Sequence, residues 1–199
     1  MNWLEPVTLE GKFILLEPLL PELHAPSMFE SFDSQSTDFL SRGESIQKLE
    51  DLQRHLEGIN AIPNRLNWAI RVLESDRISG RIAGRISFSE VKQTDGWLEI
   101  GTMLTSAFFG GPCNPEGKLL LMTRAFEHLG ANRVQFKVDS RNERSQAAML
   151  KLGATLEGVL RKYQRRPDGF LRDSVMFSVL ADEWPEVKRN LQTRLEKFL

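Results

Sequence analysis

Two periodicities of hydrophobic and polar positions divide the first half of the chain. From residue 68 to 104, apolar and polar positions alternate in WAIRV, RIAGRISFSEV and WLEIGTML, with turn residues QTDG before the last stretch. This period of two predicts a meander of three antiparallel strands. Before it, the stretch GKFILLEPL predicts a strand closed by Pro18 and Pro21, and a helical region extends to about residue 60. One face of that region repeats at three and four residues, through Ile46, Leu49, Leu52, Leu56 and Ile59.

The second half predicts a helix, a strand, a second helix, a hairpin and a closing helix. The first helix runs from Pro115 to Leu129, the strand is RVQFKVD, and the second helix follows residue 142. The hairpin turns at residues 167–169, which read Pro-Asp-Gly. Apolar stripes predict the buried faces of the first and last helices, namely Leu119, Met122, Phe126 and Leu129, then Trp184, Val187, Leu191, Leu195 and Phe198. The last stripe fits a helix packed on its own domain or one facing a partner.

This order of elements predicts an α/β fold, a three-layer sandwich around a mixed and mostly antiparallel sheet. A chain of 199 residues is long enough for one well-buried core. No internal repeat, low-complexity tract or long linker divides it. We therefore expect one domain over residues 1–199.

Composition and charge narrow the classes of function. Hydrophobic residues make up 41% and charged residues 27%, as in an ordinary globular protein, and the formal net charge is −1. That balance argues against nucleic acid or an anionic membrane as a partner. Neither a signal peptide nor a bilayer-spanning run is recognisable. Cys113 is the single cysteine, which favours a reducing cytoplasm, and His24, His55 and His128 lack the spacing of a metal site.

The loop FFGGPCN, before the helix predicted at Pro115, has features of an anion site. Asn114 suits the N-cap and Pro115 the first helical position. Gly110 and Gly111 allow close approach of the backbone, and a negative ligand would offset the placement of Lys118 in the first turn. In the alternative interpretation, the glycines form a turn and Lys118 is solvated. A phosphate-binding P-loop is excluded, because the glycine spacing is one residue too long and a leucine replaces the hydroxyl residue.

A second helix start lies in VDSRNERSQAAMLKLGATLEG. Asn142 suits an N-cap, an interaction that contributes about 1 kcal/mol. Ser145 is then the third helical residue. Its hydroxyl either satisfies local backbone or faces a ligand, and this stretch by itself favours the structural role.

Together, the two helix starts and their neighbours resemble the GNAT acetyltransferases, in particular the RimJ/RimL-like branch. The resemblance rests on LEIG in a strand, the glycine loop and its helix, RVQFKVDSRNERSQAAMLKLGATLEGVLR, the strand DGFLRDSVMFSVL and EW before the last helix. LEGKFILLEPL at the start also fits, so the resemblance covers nearly the whole chain. It implies transfer of an acetyl group from acetyl-CoA to an amine, with no metal.

The resemblance also implies which residues bind acetyl-CoA. The strand ending at Met103 and Leu104 would bond the pantetheine arm through its backbone, and the loop from Gly110 to Lys118 would hold the pyrophosphate. Asn142 and Ser145 would face the sulfur at a helix N-terminus. The full set of expected acetyl-CoA residues is Met103, Leu104, Gly110, Gly111, Asn114, Gly117, Lys118, Asn142 and Ser145.

The chain departs from the family pattern at several positions. Pro112 occupies the second glycine position of the loop and removes one N–H donor, and Asn114 replaces a small residue. Met149 stands where many relatives carry a tyrosine general acid, although the RimL-like branch often lacks it. Tyr163, the single tyrosine, belongs to a later strand.

Glu99 is the first candidate for the base that deprotonates the amine, and Ser145 is expected to assist at the sulfur. Glu99 alternates with apolar neighbours in WLEIGTML, so its side chain points to the opposite face of the strand. In the alternative interpretation, Glu99 forms a cross-strand ion pair with an arginine such as Arg85. Glu157 is a weaker candidate, and Cys113 is not expected to be a nucleophile.

Two other functional classes compete with the N-acetyltransferase. One is a non-catalytic acyl-CoA-binding or regulatory module on the same fold, which Met149 and the altered loop favour. The other is an unrelated binding protein with an α/β sandwich. The amine acceptor, a protein N-terminus or a small molecule, is left open, as is a homodimer.

Overall fold

The computed structural model describes residues 2–36, 38–39, 46–74 and 77–199, without the side chains of residues 77–79. The strands are β1 Leu9–Glu10, β2 Ile14–Pro18, β3 Leu66–Glu74, β4 Arg77–Lys92, β5 Trp97–Leu104, β6 Arg133–Asp139, β7 Thr155–Arg165 and β8 Leu171–Leu180. The α-helices are α1 Pro21–Glu30, α2 Leu49–Asn60, α3 Cys113–Thr123, α4 Glu143–Leu152 and α5 Trp184–Leu195. Within the described ranges, no helix is long and apolar enough to cross a bilayer.

The strands form one mixed sheet in the order β1-β2-β3-β4-β5-β6-β8-β7. Every neighbouring pair in the described sheet is antiparallel except β5 and β6, which are parallel. Helices α1 and α2 cover one face through a cluster with Ala69, Ile82 and Met103. Helices α3, α4 and α5 cover the other face over the larger core. The predicted fold class, a single-domain α/β sandwich, is therefore confirmed.

The parallel pair β5–β6 is short, and this opens the sheet. Pairing is confined to Trp97–Glu99 against Arg133–Gln135. Beyond it, β5 continues to Leu104 against β4, while β6 continues to Asp139 against β8. The two strands thus diverge toward their carboxyl ends, and a cleft lies between them.

Most of the predicted elements are present. The meander, the hairpin around residues 167–169 and the apolar face of α2 are confirmed. The last stripe packs on the core through Trp184, Val187 and Leu191, so α5 closes its own domain. Residues 37 and 40–45 of the predicted helical region lie outside the described residues.

The helix predicted at Pro115–Leu129 differs in both its limits and its buried face. Helix α3 begins at Cys113 and continues after Thr123 as a π-helical turn, Arg124–His128. A π turn inserts an extra residue and shifts the helical register. Met122 and Leu129 of the predicted stripe are buried, whereas Leu119 and Phe126 are only partly buried, and Leu121 and Ala125 are fully buried in addition.

Glu116 of α3 ties the β1–β2 hairpin to the rest of the fold. Its buried carboxylate accepts backbone N–H bonds from Lys12, Phe13 and Ile14, each at 2.8 Å. Gly11 leaves room for this contact, since a Cβ there would lie 2.5 Å from the Glu116 Cδ. A buried anion with three donors fixes the height of α3 over the sheet. The N-terminus of α3, which borders the cleft, is thereby positioned.

Candidate active site

The cleft between β5 and β6 has a volume of about 640 Å³. Its walls come from both diverging strands, the loop before α3, the first turns of α4 and the C-terminal end of α5. The structure brings together in it nearly all residues that the sequence singled out, namely Glu99, Met103, Leu104, Gly110, Gly111, Asn114, Lys118, Asn142 and Ser145.

The free edge of β5 presents backbone groups to this cleft. Thr105 donates its N–H to Ala83 of β4 at 2.9 Å, and the alternation of an antiparallel ladder directs Met103 to β4 as well. The Met103 carbonyl indeed lies against Gly84. The N–H and C=O groups of Thr102 and Leu104 consequently point toward the open side. The backbone bonding that was expected at Met103 and Leu104 is therefore available at Leu104, while Met103 borders the cleft and belongs to the core cluster under α1 and α2.

The loop before α3 retains few backbone donors. Pro112 is the N-cap, not Asn114, and Pro115 falls inside the first turn. Neither proline has an N–H group, which leaves those of Gly111, Cys113 and Asn114 at the helix start. Gly110 has a φ of 78°, a conformation that suits glycine, whereas Gly111 has no such requirement. A Cβ on Gly111 would meet nothing nearer than 3.7 Å.

Lys118 is buried, so the alternative interpretation, in which it is a solvated surface residue, is wrong. Its Nζ donates to the Asn114 Oδ1 one turn earlier. Burial, together with the positive charge of Arg194, lowers the pKa of Lys118 to about 7. A nearby anion favours the charged form of a lysine with such a pKa, so the amine gains a proton readily when an anion approaches.

Gly117 is the one expected acetyl-CoA residue that does not line the cleft. A Cβ there would lie 3.3 Å from the Ile86 Cδ1 and 3.7 Å from the Ile14 Cδ1. Gly117 therefore faces the sheet, where it lets α3 approach closely, because the helix begins two residues earlier than the sequence suggested.

Asn142 and Ser145 have separate roles at the start of α4. Asn142 is the N-cap, and its Oδ1 accepts the Ser145 backbone N–H at 3.0 Å. The Ser145 hydroxyl lines the cleft and has no hydrogen-bond partner among the described residues. The structural alternative for this hydroxyl, a hydrogen bond to local backbone, is therefore wrong.

Alanine substitutions should separate the cap from the cleft group. Asn142→Ala should lower the free energy of unfolding by about 1 kcal/mol. Ser145→Ala should leave it nearly unchanged, because its hydroxyl makes no internal bond. Urea unfolding of both variants tests this, with steady-state kinetics corrected for the folded fraction. A loss of stability in Ser145→Ala equal to that in Asn142→Ala would contradict the distinction.

Asp139 holds the turn that leads into α4, a role with no marker in the sequence. Its buried carboxylate accepts the backbone N–H and Nε of Arg141, both at 3.0 Å, and Arg172 Nε lies 3.6 Å away. Burial tends to raise the pKa of Asp139, but the Arg141 bonds and the Arg172 charge lower it below its usual value. The Asn142 N–H also donates to the Asp139 carbonyl at 2.9 Å. Asp139 thus orients the N-terminus of α4.

Glu99 points into the cleft and is paired with a lysine, not with an arginine. Lys137 Nζ lies 3.2 Å from the Glu99 Oε2, and Gln135 Nε2 donates to the same oxygen at 3.3 Å. The hydroxyl of Ser89, its register partner on β4, lies 3.3 Å from Oε1. Burial raises the pKa of Glu99, and the Lys137 charge opposes that rise. A buried carboxylate with a raised pKa is suited to accept a proton near neutral pH.

The other residues that the sequence raised for a chemical role are engaged in other contacts or buried. Glu157 does not line the cleft, because Arg133 binds both of its oxygens and Ser178 donates to it. Burial raises the pKa of Cys113 to about 11, which disfavours a thiolate. Tyr163 lies on β7, its ring 4.9 Å from the Lys137 Nζ. Met149 is buried in the core beside the cleft.

Comparison with known proteins assigns this geometry to a family. The model of the acetyltransferase (GNAT) domain matches residues 14–155. An uncharacterized N-acetyltransferase, p20, of Bacillus licheniformis is 32% identical over 148 residues, 74% of this chain and 76% of p20. A crystal structure from T. thermophilus, described as a proposed acetyltransferase, is 47% identical with a TM-score of 0.89 and covers 98% of this chain and 100% of that one.

The fold also matches a more distant structure. RimJ of Mycobacterium smegmatis, solved in complex with CoA-disulfide, has a TM-score of 0.74 at 17% identity, covering 96% of this chain and 95% of that one. At this identity the likeness concerns the fold. This fold agrees with that of the T. thermophilus structure, which covers 98% of this chain.

Proposed function

Because the chain belongs to the GNAT family of acetyltransferases, we propose that it is a RimJ/RimL-like member that transfers an acetyl group from acetyl-CoA to a primary amine. The acceptor is a protein N-terminus or a small-molecule amine. The observation that carries this proposal is the divergence of β5 and β6, which brings Glu99 and Ser145 to opposite walls of one cleft.

Acetyl-CoA fits the residues of this cleft. The free backbone groups of Thr102 and Leu104 can pair with the amides of the pantetheine arm, as a further strand would. The N–H groups at the start of α3, with the helix dipole behind them, suit a pyrophosphate. The relative solved with a CoA-disulfide has the same fold, which supports this placement.

Side-chain cations compensate for the donors that the two prolines remove. Lys118 and Arg194 lie close enough for the arginine charge to depress the lysine pKa. Arg144 stacks on the Phe109 ring at 3.7 Å, and Lys197 also lines this end. These cations face the loop where the phosphates would lie, so phosphate binding would relieve their mutual repulsion.

Glu99 and Ser145 would act on opposite sides of the reacting centre. Acetyl-CoA supplies the activated acyl group, and the amine nitrogen forms a bond to its carbonyl carbon while the carbon–sulfur bond breaks. Glu99 accepts the amine proton, directly or through one water, with Lys137 stabilising the carboxylate. The Ser145 hydroxyl donates a hydrogen bond to the departing sulfur, and the N-terminus of α4 favours its negative charge. No covalent enzyme intermediate is required.

A non-catalytic acyl-CoA-binding module is the second candidate. It is favoured by Met149, which replaces the usual tyrosine acid, and by the loop prolines Pro112 and Pro115. Both candidates predict stabilisation by acetyl-CoA, about 2.7 kcal/mol at a hundredfold excess over Kd. Only the enzyme releases free thiol when an amine is added.

Release of free thiol from acetyl-CoA, measured with a panel of amines, tests the proposal. The panel should include N-terminal peptides, polyamines and amino acids, with hydrolysis in the absence of amine as the blank. Amine-dependent release supports transfer. Stabilisation by acetyl-CoA without release from any amine would favour the binding module. A melting temperature unchanged at millimolar acetyl-CoA would reject both.

The cellular setting is also a proposal. The single cysteine, Cys113, is buried, and a reducing cytoplasm agrees with that usage. The chain is proposed to act there on acetyl-CoA and an amine, without nucleic acid, membrane or metal.

A further inference from the structure

A buried arginine with no partner among the described residues lines the cleft beside the C-terminal half of β5. Arg85, in the middle of β4, is 6% exposed and lines the cleft. Its Nε is buried without a hydrogen-bond partner. Across the described residues, Arg85 forms no ion pair with a carboxylate. Buried charges in folded proteins are normally paired, so this guanidinium indicates a missing anion.

The neighbours of Arg85 add positive charge and polar groups. Arg65 donates through Nη2 to the Ser87 hydroxyl at 2.8 Å and through Nε to Asn67 at 2.9 Å. Burial and the charge of Arg65 lower the pKa of Arg85 to about 9. Burial and both arginine charges also lower the pKa of His55 to about 4, so His55 is neutral at pH 7. Two guanidinium groups are thus held near each other beside a neutral imidazole.

The absence of a side chain at Gly101 keeps this place open. A Cβ on Gly101 would lie 3.2 Å from the Ser87 Oγ and 3.9 Å from the Arg65 Nη2. Gly101 and Ser87 are register partners on β5 and β4. The space above Gly101 therefore borders the hydroxyl and one of the two guanidinium groups.

Arg85 and Glu99 lie on the same face of the sheet but at separate points. Glu99 is opposite Ser89 of β4, and Arg85 lies four residues before Ser89 on the same strand. Four strand residues correspond to about 13 Å, which the two long side chains shorten. This face is the one covered by α1 and α2, whereas α3 packs on the other face. An acceptor whose amine reaches Glu99 would extend toward Arg85.

We propose that Arg85 binds an anionic group of the acceptor, so that the preferred substrates are amines that also carry a carboxylate. This inference rests on the proposed function, from which it takes an amine as the acetyl acceptor. A guanidinium binds a carboxylate through two parallel N–H bonds, and a buried site strengthens them. An acceptor without the anion leaves Arg85 buried and unpaired, which should cost about 10- to 100-fold in kcat/KM.

Matched pairs of acceptors test the charge. We would measure kcat/KM for the series from glycine to 6-aminohexanoate and for the primary amide of each, at equal concentrations of free amine. The series varies the distance between amine and carboxylate. The acid should exceed its amide at least tenfold at the best chain length. Equal values at every length would overturn the proposal.

Two variants identify Arg85 as the group responsible. Arg85→Met keeps the length of the side chain and should lower kcat/KM for the acids at least tenfold, with the amides and the Kd of acetyl-CoA unchanged. Arg85→Lys keeps a charge without the planar fork and should fall between. Equal losses for acids and amides in folded Arg85→Met would contradict the proposal. If Arg85→Met does not fold, the wild-type acid-to-amide ratio and Arg85→Lys decide.

Two further experiments complete the test. One identifies the kind of anion that Arg85 binds, and the other separates a failure of the anion site from a failure of the proposed acetyl transfer. Preference for phosphoethanolamine over ethanolamine, without preference for acids over amides, would assign Arg85 to a phosphate and overturn the carboxylate. Calorimetric titration of the CoA-loaded protein with the same acids and amides needs no turnover. Binding of acids that Arg85→Met abolishes would support the anion site even if no amine is acetylated. Equal binding of acids and amides would reject it while leaving acetyl transfer intact.

Discussion

Glu99→Gln is expected to lower kcat about a hundredfold or more, with little change in the Kd of acetyl-CoA. Glutamine keeps the shape of Glu99 but cannot accept a proton from the amine. Burial raises the pKa of Glu99, so the wild-type rate should fall as the pH drops through that pKa and the carboxylate becomes protonated. The variant should lack this acidic limb of the kcat/KM profile. Steady-state kinetics across pH measure both effects.

Glu90→Gln provides a matched control. Glu90 also contacts Lys137, at 2.7 Å, but it is more exposed than Glu99. Its charge adds to the rise in the Glu99 pKa, so the control should keep its kcat and shift the acidic limb to lower pH. If Glu99→Gln keeps both activity and pH profile while losing stability, Glu99 is a structural partner of Lys137 and the base lies elsewhere.

Glu116→Ala is expected to lower the free energy of unfolding by about 3–5 kcal/mol, a large part of the stability of an ordinary domain. The substitution removes the buried acceptor of three backbone N–H groups, from Lys12, Phe13 and Ile14. Binding of acetyl-CoA should weaken as well, because Glu116 positions the N-terminus of α3. Urea denaturation at pH 7 measures the first effect and calorimetry the second.

Two further variants check this account of Glu116. Glu116→Gln retains one acceptor oxygen and should lose less stability than alanine. Gly11→Ala should also destabilise, since its Cβ would overlap the Glu116 carboxyl group. A loss below about 1 kcal/mol in Glu116→Ala would show that water satisfies the three donors and that Glu116 does not hold the hairpin.

Local signals in the sequence were sufficient for most elements and for the start of α4. The alternation in residues 68–104 reflects strands with one apolar face, and Asn142 at a strand end marks a cap, so both could be predicted. The start of α3 could not be predicted from the sequence, because Pro112 and Pro115 both suit the first turn of a helix. The burial of Lys118 could not be predicted either, since helical periodicity does not reveal that α5 residues such as Arg194 approach the same turn.

Non-local contacts account for the remaining differences. In the alternative interpretation of Glu99, its carboxylate pairs across the strands with an arginine such as Arg85. The partner of Glu99 is Lys137, because β6 pairs in parallel with β5, and the predicted order of elements did not specify that pairing. Arg85 has no carboxylate partner among the described residues, because the register of β4 and β5 places it opposite Met103 and places Glu99 opposite Ser89. The proposed base and the proposed anion-binding arginine thus lie at separate points of the same face.

Transfer of a labelled acetyl group shows whether this protein acetylates an amine. Wild-type protein and Glu99→Gln would be incubated with acetyl-CoA carrying isotope in the acetyl group and with the best amine of the panel, and the amine would be analysed by mass spectrometry. The account predicts labelled N-acetyl product in the wild type, in amounts equal to the thiol released, and at least about a hundredfold slower formation in Glu99→Gln. Unlabelled amine throughout, in a protein that acetyl-CoA stabilises, would contradict it.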